Sequence, residues 1–130
     1  DGMFIFDGKW YLIEAKTTPS TYILKDCSEH KLKTNELDKL IKITNQLRPD
    51  VILVAFEKIK IHEETLTKEQ ENNILMNIHD YILNGLDEGI ALNEGSMQIR
   101  VGEFCHFLGR NAVSIFNSKY SSSRYPYACF

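Results

Sequence analysis

Two short apolar and aromatic runs, Met3–Phe6 and Trp10–Ile13, stand either side of Asp7-Gly8 in the opening DGMFIFDGKWYLIEAK. Such runs read as strands. An Asp-Gly pair between them marks a hairpin, because both central residues of a type I′ turn need φ > 0. A two-residue loop sets Phe6 opposite Lys9, Ile5 opposite Trp10, Phe4 opposite Tyr11 and Met3 opposite Leu12, then Gly2 opposite Ile13 and Asp1 opposite Glu14. Side chains alternate between faces. Asp1, Met3, Ile5, Trp10, Leu12, Glu14 and Lys16 therefore share one face.

Further along, Thr17–Thr21 is a loop by composition, since Pro19 cannot continue a central strand. Tyr22–Leu24 reads as a short strand and polar Lys25–Lys33 as a loop. Leu37, Leu40, Ile41 and Leu47 recur at helical spacing and predict a helix over 35–48, with Asn35 as cap, Asp38 in the first turn and Pro49 as stop. Val51–Phe56 is a continuous apolar run, the pattern of a strand buried on both faces. Strand, helix and strand in this order predict a right-handed crossover joining a parallel pair. Lys58–His62 alternates like a half-exposed extension. Thr67-x-x-Gln70 is a capping box opening a second helix. Its buried stripe is Ile74, Leu75, Ile78, Tyr81, Ile82 and Leu86, and Gly85 or Gly89 ends it. Ile90–Leu92 and Met97–Val101 read as short strands flanking a turn at Asn93–Gly95, and Ala112–Phe116 as another strand. The pattern predicts an α/β fold: one domain over 1–130, a mixed sheet led by the hairpin with flanking helices, and a loosely ordered tail over 118–130.

Composition narrows the class. The 130 residues are 43% hydrophobic, enough for a core, and no apolar run approaches the length of a membrane span. No signal peptide is recognisable, and Cys27, Cys105 and Cys129 are few and odd in number. A reducing, cytoplasmic setting is expected rather than a disulfide scaffold. The first residue is not Met, so a fragment of a longer chain is expected. The net charge of −3 does not advertise nucleic-acid binding, but its distribution is uneven. Residues 61–95 carry eight acids against Lys68 alone, while 96–130 carry Arg100, Arg110, Lys119 and Arg124 against Glu103 alone.

The hairpin register sets a chemical problem. Asp1 and Glu14 would lie opposite, with Cβ atoms roughly 4.5–5.5 Å apart, and like charges there repel. A divalent cation resolves this, since Mg²⁺ is held by one or two carboxylates plus water and phosphate. Lys16, a step further on the same face, reaches whatever the metal holds. Two carboxylates, a lysine and a metal suit phosphodiester hydrolysis. The plainer reading of Glu-x-Lys is a solvated edge pair.

Asp1, a hairpin, then Glu14-Ala15-Lys16 resembles the Asp…Glu-x-Lys signature of the PD-(D/E)XK superfamily of restriction-endonuclease-like nucleases. The resemblance is close over the hairpin and looser over the following helix and strand. It implies a restriction-endonuclease-like mixed sheet without the N-terminal helix of the family core. The implied activity is a Mg²⁺- or Mn²⁺-dependent endo- or exodeoxyribonuclease. Asp1, Glu14 and Lys16 would be catalytic. Asp1, Glu14 and the Ala15 carbonyl would hold the metal. The alternative is a nuclease-fold module that binds nucleic acid or protein without catalysis.

A DNA partner needs cationic contacts. Lys9, Arg100, Arg110, Lys119 and Arg124 are the candidates, and at least two of the last four are expected to share a surface with Glu14 and Lys16. The acidic second helix is expected on the side of the sheet away from Glu14. Cys27-x-x-His30, His62-Glu63-Glu64, His79-Asp80 and Cys105-His106 read better as loop, helix-surface or aromatic-cluster residues than as metal or catalytic sites.

Overall fold

A computed structural model describes residues 2–24, 29–61, 65–91 and 97–105. The hairpin forms in the expected register. Strand β1 (Gly2–Phe6) pairs antiparallel with β2 (Lys9–Lys16), from Phe6↔Lys9 to Gly2↔Ile13. Asp7 and Gly8 both take positive φ, 51° and 75°, as a type I′ turn demands. Asp1 lies outside the described residues.

After β2 the chain turns through a 3-10 helix over Pro19–Tyr22, with the Thr18 side chain accepting from the Ser20 amide. The strand expected at Tyr22–Leu24 is reduced to one antiparallel bridge, Ile23↔Leu32. Helix α1 (Asn35–Leu47) follows as predicted. Its N-cap position is Thr34, not Asn35, and makes no side-chain capping bond. Leu37, Leu40 and Ile41 are buried but Leu47 is exposed. The stripe is completed by buried Thr44, whose hydroxyl donates back to the Leu40 carbonyl at 2.8 Å. Arg48 ends the helix in the left-handed region, φ 51°, just before Pro49.

Strand β3 (Val51–Phe56) is buried along its whole length and runs parallel to β2. Beyond it the alternation at Lys58–Ile61 survives as burial alone: Ile59 and Ile61 enter the core, without forming a named strand. Helix α2 (Lys68–Gly85) opens on the full Thr67–Gln70 capping box. It ends at Gly85, but not by a left-handed glycine, since Leu86 continues in extended backbone. What Gly85 supplies is space, because an added Cβ would stand 2.6 Å from Ile41 Cδ1. The two helices are also tied by Tyr81, whose hydroxyl donates to Asp38 at 2.6 Å, and by Asn45, which bonds the Gly85 carbonyl and the Asp87 amide.

A short helix α3 (Glu88–Ala91) replaces the strand expected at Ile90–Leu92. Strand β4 (Gln98–Glu103) adds parallel to β3 and completes the order β1-β2-β3-β4. Asn93–Gly95 and Ala112–Phe116 lie outside the described residues, as does the 118–130 tail. Cys105 is disulfide-bonded, although the low cysteine count favours a reducing setting. Among the described residues no helix is long and apolar enough to cross a membrane.

Each sheet face builds its own core. On one, Leu12, Ile52, Val54 and Phe56 pack with Leu37, Leu40 and Ile41 of α1 and Ile74, Ile78 and Ile82 of α2. On the other, Phe4, Ile13, Val51 and Leu53 cluster with Tyr11 and Phe104, and the Phe4 and Tyr11 rings stack at 4.9 Å.

Candidate active site

Register and alternation locate Glu14. It opposes Val54, and Lys16 opposes Phe56, so both belong to the face that α1 and α2 cover. The expectation that α2 lies on the other side is therefore corrected. Helix α2 packs on Glu14's own face, because its Ile74, Ile78 and Ile82 stripe must be buried. Each such side chain contributes roughly 1.5–3 kcal/mol on burial, whereas exposed charges interact by about 1 kcal/mol or less. Glu69 and Asp80 are simply turned outward to water.

At the carboxyl end of β2 the Lys16 ammonium meets the Glu14 carboxylate at 3.3 Å, with the side chains 25% and 20% exposed. The strand's two-residue period brings both onto one face, and half-burial holds them in one arrangement. β2, β3 and β4 are parallel, and open α/β sheets bind ligands outside the carboxyl ends of their strands. The ladder continues just past the pair, where the Glu57 amide bonds the Lys16 carbonyl and the Lys58 amide bonds that of Thr17. Since the Lys16 carbonyl points to β3, the alternating Ala15 carbonyl points toward the β1 side. The described β1 ladder stops short of that position, at Gly2↔Ile13.

Three residues that sequence reasoning passed over gather at this end. Glu103 closes β4 on the same face as Lys16, with Phe56 between them. Glu36 stands in the first turn of α1 and pairs with Lys39 at 3.5 Å. Tyr22 is 1% exposed, its ring edge-on to Phe56 at 5.9 Å between centroids. Burial pushes the phenol well above its usual pKa, and the nearby charges of Glu14 and Glu36 push it further. Nothing in the hydrophobic pattern singles these three out, since it is the crossover that returns α1 over the end of β2.

The other predicted residues divide. Lys9 sits at the hairpin turn on the opposite face, five residues from Glu14 and about 16 Å along the strand. Arg100 opposes Leu53, also on the far face, and donates to Gln98 at 2.8 Å. By register neither starts on Glu14's face, although Arg100 also lines a concavity with Asn72, Leu75, Met76 and His79 of α2. The reason is strand parity: odd positions of β2 and even positions of β4 face away. Arg110, Lys119 and Arg124 lie outside the described residues, as do Cys27 and the 62–64 step. His79 contacts Asp80 at 3.2 Å on the surface of α2.

For a metal, Glu14 and the Ala15 carbonyl are oxygen donors, the chemistry that hard Mg²⁺ and Mn²⁺ prefer. Among the described residues there is no group of three or more His, Cys, Asp or Glu placed to hold an ion. These two oxygen donors alone do not make up a metal site, and Asp1 lies outside the described residues. No known family model matches the chain, and no curated protein and no solved structure matches it either.

Proposed function

We propose that this chain is a Mg²⁺- or Mn²⁺-dependent nuclease domain hydrolysing DNA phosphodiester bonds. The observation that carries the reading is the Glu14–Lys16 pair, half-buried on one face at the carboxyl end of β2, in the hairpin of the Asp…Glu-x-Lys signature. Asp1, Glu14 and the Ala15 carbonyl would hold the cation, which would supply charge to offset the phosphate and acidify a water. Lys16 steadies the attacking water and the charge that develops on the phosphate oxygens. Held at 3.3 Å by Glu14, its ammonium needs little reorganisation when that charge appears.

The test is cleavage of DNA in Mn²⁺ by wild type, Glu14→Ala and Lys16→Ala. Loss of cleavage in both variants is expected, and equal cleavage by all three removes these residues from the mechanism. A second reading, a non-catalytic module of the same fold, is favoured by β1, which exposes Met3 (48%) and Ile5 (78%) as a contact surface would. Titration with Mn²⁺ separates the two: binding lost in Glu14→Ala belongs to the nuclease.

A further inference from the structure

We propose that the open edge of β4 docks an extended peptide of another protein, which adds a strand to the sheet and carries an acidic residue between two aliphatic ones. The proposal goes beyond the Glu14–Lys16 pair, which belongs to β2, and does not depend on it. β4 stands last in the order β1-β2-β3-β4, with β3 on one side only. In a parallel ladder a residue's N–H and C=O point to the same side, and the side alternates along the strand. The Gln98 amide bonds the Asp50 carbonyl at 2.9 Å, so the backbone groups of Gln98, Arg100 and Gly102 point to β3. Those of Ile99 and Val101 therefore point outward, and among the described residues no strand meets them. Such an edge is a template for a further strand, and peptide recognition by strand addition uses it in that way.

The surroundings of the edge select the strand. Helix α2 and β4 frame a groove of about 480 Å³, within the size range of ligand sites. Its walls are mostly apolar, with Leu75 and Met76 from α2 and Ile99 and Val101 from β4. Met76 is 58% exposed there. Ile99 and Val101 oppose Ile52 and Val54, so their side chains share the α2 face. In an added strand the two residues opposite them take that same face. They enter the groove, and aliphatic side chains suit it. The residue between them turns to the other face, opposite Arg100. Arg100 also lines the groove, where it is the one described residue charged at every working pH, and no lining residue is a carboxylate. Its guanidinium donates to the Gln98 side chain at 2.8 Å, which steadies it on that face. A glutamate or aspartate opposite Arg100 is complementary, and such a cross-strand pair contributes roughly 0.2–1 kcal/mol. The same placement turns the acid away from α2, which carries Glu69, Glu71 and Asp80. Strand parity thus fixes the order aliphatic, acidic, aliphatic.

The probe is a fluorescent, acetylated and amidated Thr-Ile-Glu-Val-Thr pentapeptide, titrated with the whole chain by anisotropy at low salt. Binding in the micromolar to millimolar range is expected. Methylating the isoleucine and valine nitrogens, which face β4, should weaken it at least about tenfold, the loss of two hydrogen bonds. Methylating the glutamate nitrogen, which faces away, should change it by less than about twofold. Replacing the peptide glutamate by lysine should weaken binding about 2- to 30-fold, and Arg100→Glu should reverse that preference. The methylation comparison uses wild type, so it decides the matter even if Arg100→Glu does not fold. In the free protein the amides of Ile99 and Val101 should exchange with deuterium faster than those of Arg100 and Gly102, and should slow when peptide is added. No binding, equal loss from both methylation patterns, or indifference to the charge at Arg100 overturns the proposal. So does protection of the Ile99 and Val101 amides without peptide. That protection would be independent of concentration if residues 106–130 fill the edge, and would rise with concentration if a second copy does.

Discussion

Gly85→Ala tests how the two helices that cover the Glu14 face are joined. An alanine Cβ there would stand 2.6 Å from Cδ1, 2.9 Å from Cγ2 and 3.2 Å from Cγ1 of Ile41. Ile41 is buried and β-branched, so turning χ1 to free one methyl swings another into its place. Overpacking of this kind costs about 1–3 kcal/mol. The gain in helix propensity is at most about 1 kcal/mol, and less at a helix's last residue. The expected net destabilisation is about 1–2 kcal/mol. Urea unfolding followed by circular dichroism and by Trp10 fluorescence measures it. A double-mutant cycle with Ile41→Ala locates it. Ile41→Ala alone should cost about 2–5 kcal/mol, and the double variant should be more stable than the sum by at least about 1 kcal/mol, because each change relieves the other. A Gly85→Ala protein as stable as wild type, or strict additivity with Ile41→Ala, would refute the close-packing account.

Asp50 ties three strands together: its side chain accepts from the Trp10 amide at 2.9 Å, its own amide bonds the Trp10 carbonyl, and its carbonyl takes the Gln98 amide. Asp50→Ala should cost about 1–3 kcal/mol by stranding the Trp10 amide, read as a lower urea midpoint; a midpoint equal to wild type would show that water replaces the carboxylate. Alkaline titration should expose Tyr22. Its folded pKa is raised above the unfolded value of 10.0 by burial and by Glu14 and Glu36, so its contribution is full below that value and is lost as pH climbs above it, by about 1.4 kcal/mol per unit. Tyr22→Phe should remove that part of the slope between pH 10 and 11, and unchanged slopes in the two proteins would contradict the assigned environment.

Local chemistry made the first half of the chain legible. Asp7-Gly8 specified its own turn, and the turn specified the register, so the shared face of Glu14 and Lys16 followed from counting residues. The uninterrupted run of β3 and the Thr67–Gln70 box were equally local, each depending on residues within one element. Boundaries and caps failed where neighbours competed. Pro19 drew the chain into a 3-10 turn, and Thr44 rather than Leu47 filled the stripe of α1. The side of the sheet that α2 covers was not legible. Net charge argued for the face away from Glu14, but charges turned to water settle little, while burying three isoleucines decides the packing. Nor did the sequence reveal Tyr22, Glu36 and Glu103 beside the Glu14–Lys16 pair. They come from three segments far apart in the chain, and only the parallel crossover and the tertiary core bring them to one end of the sheet.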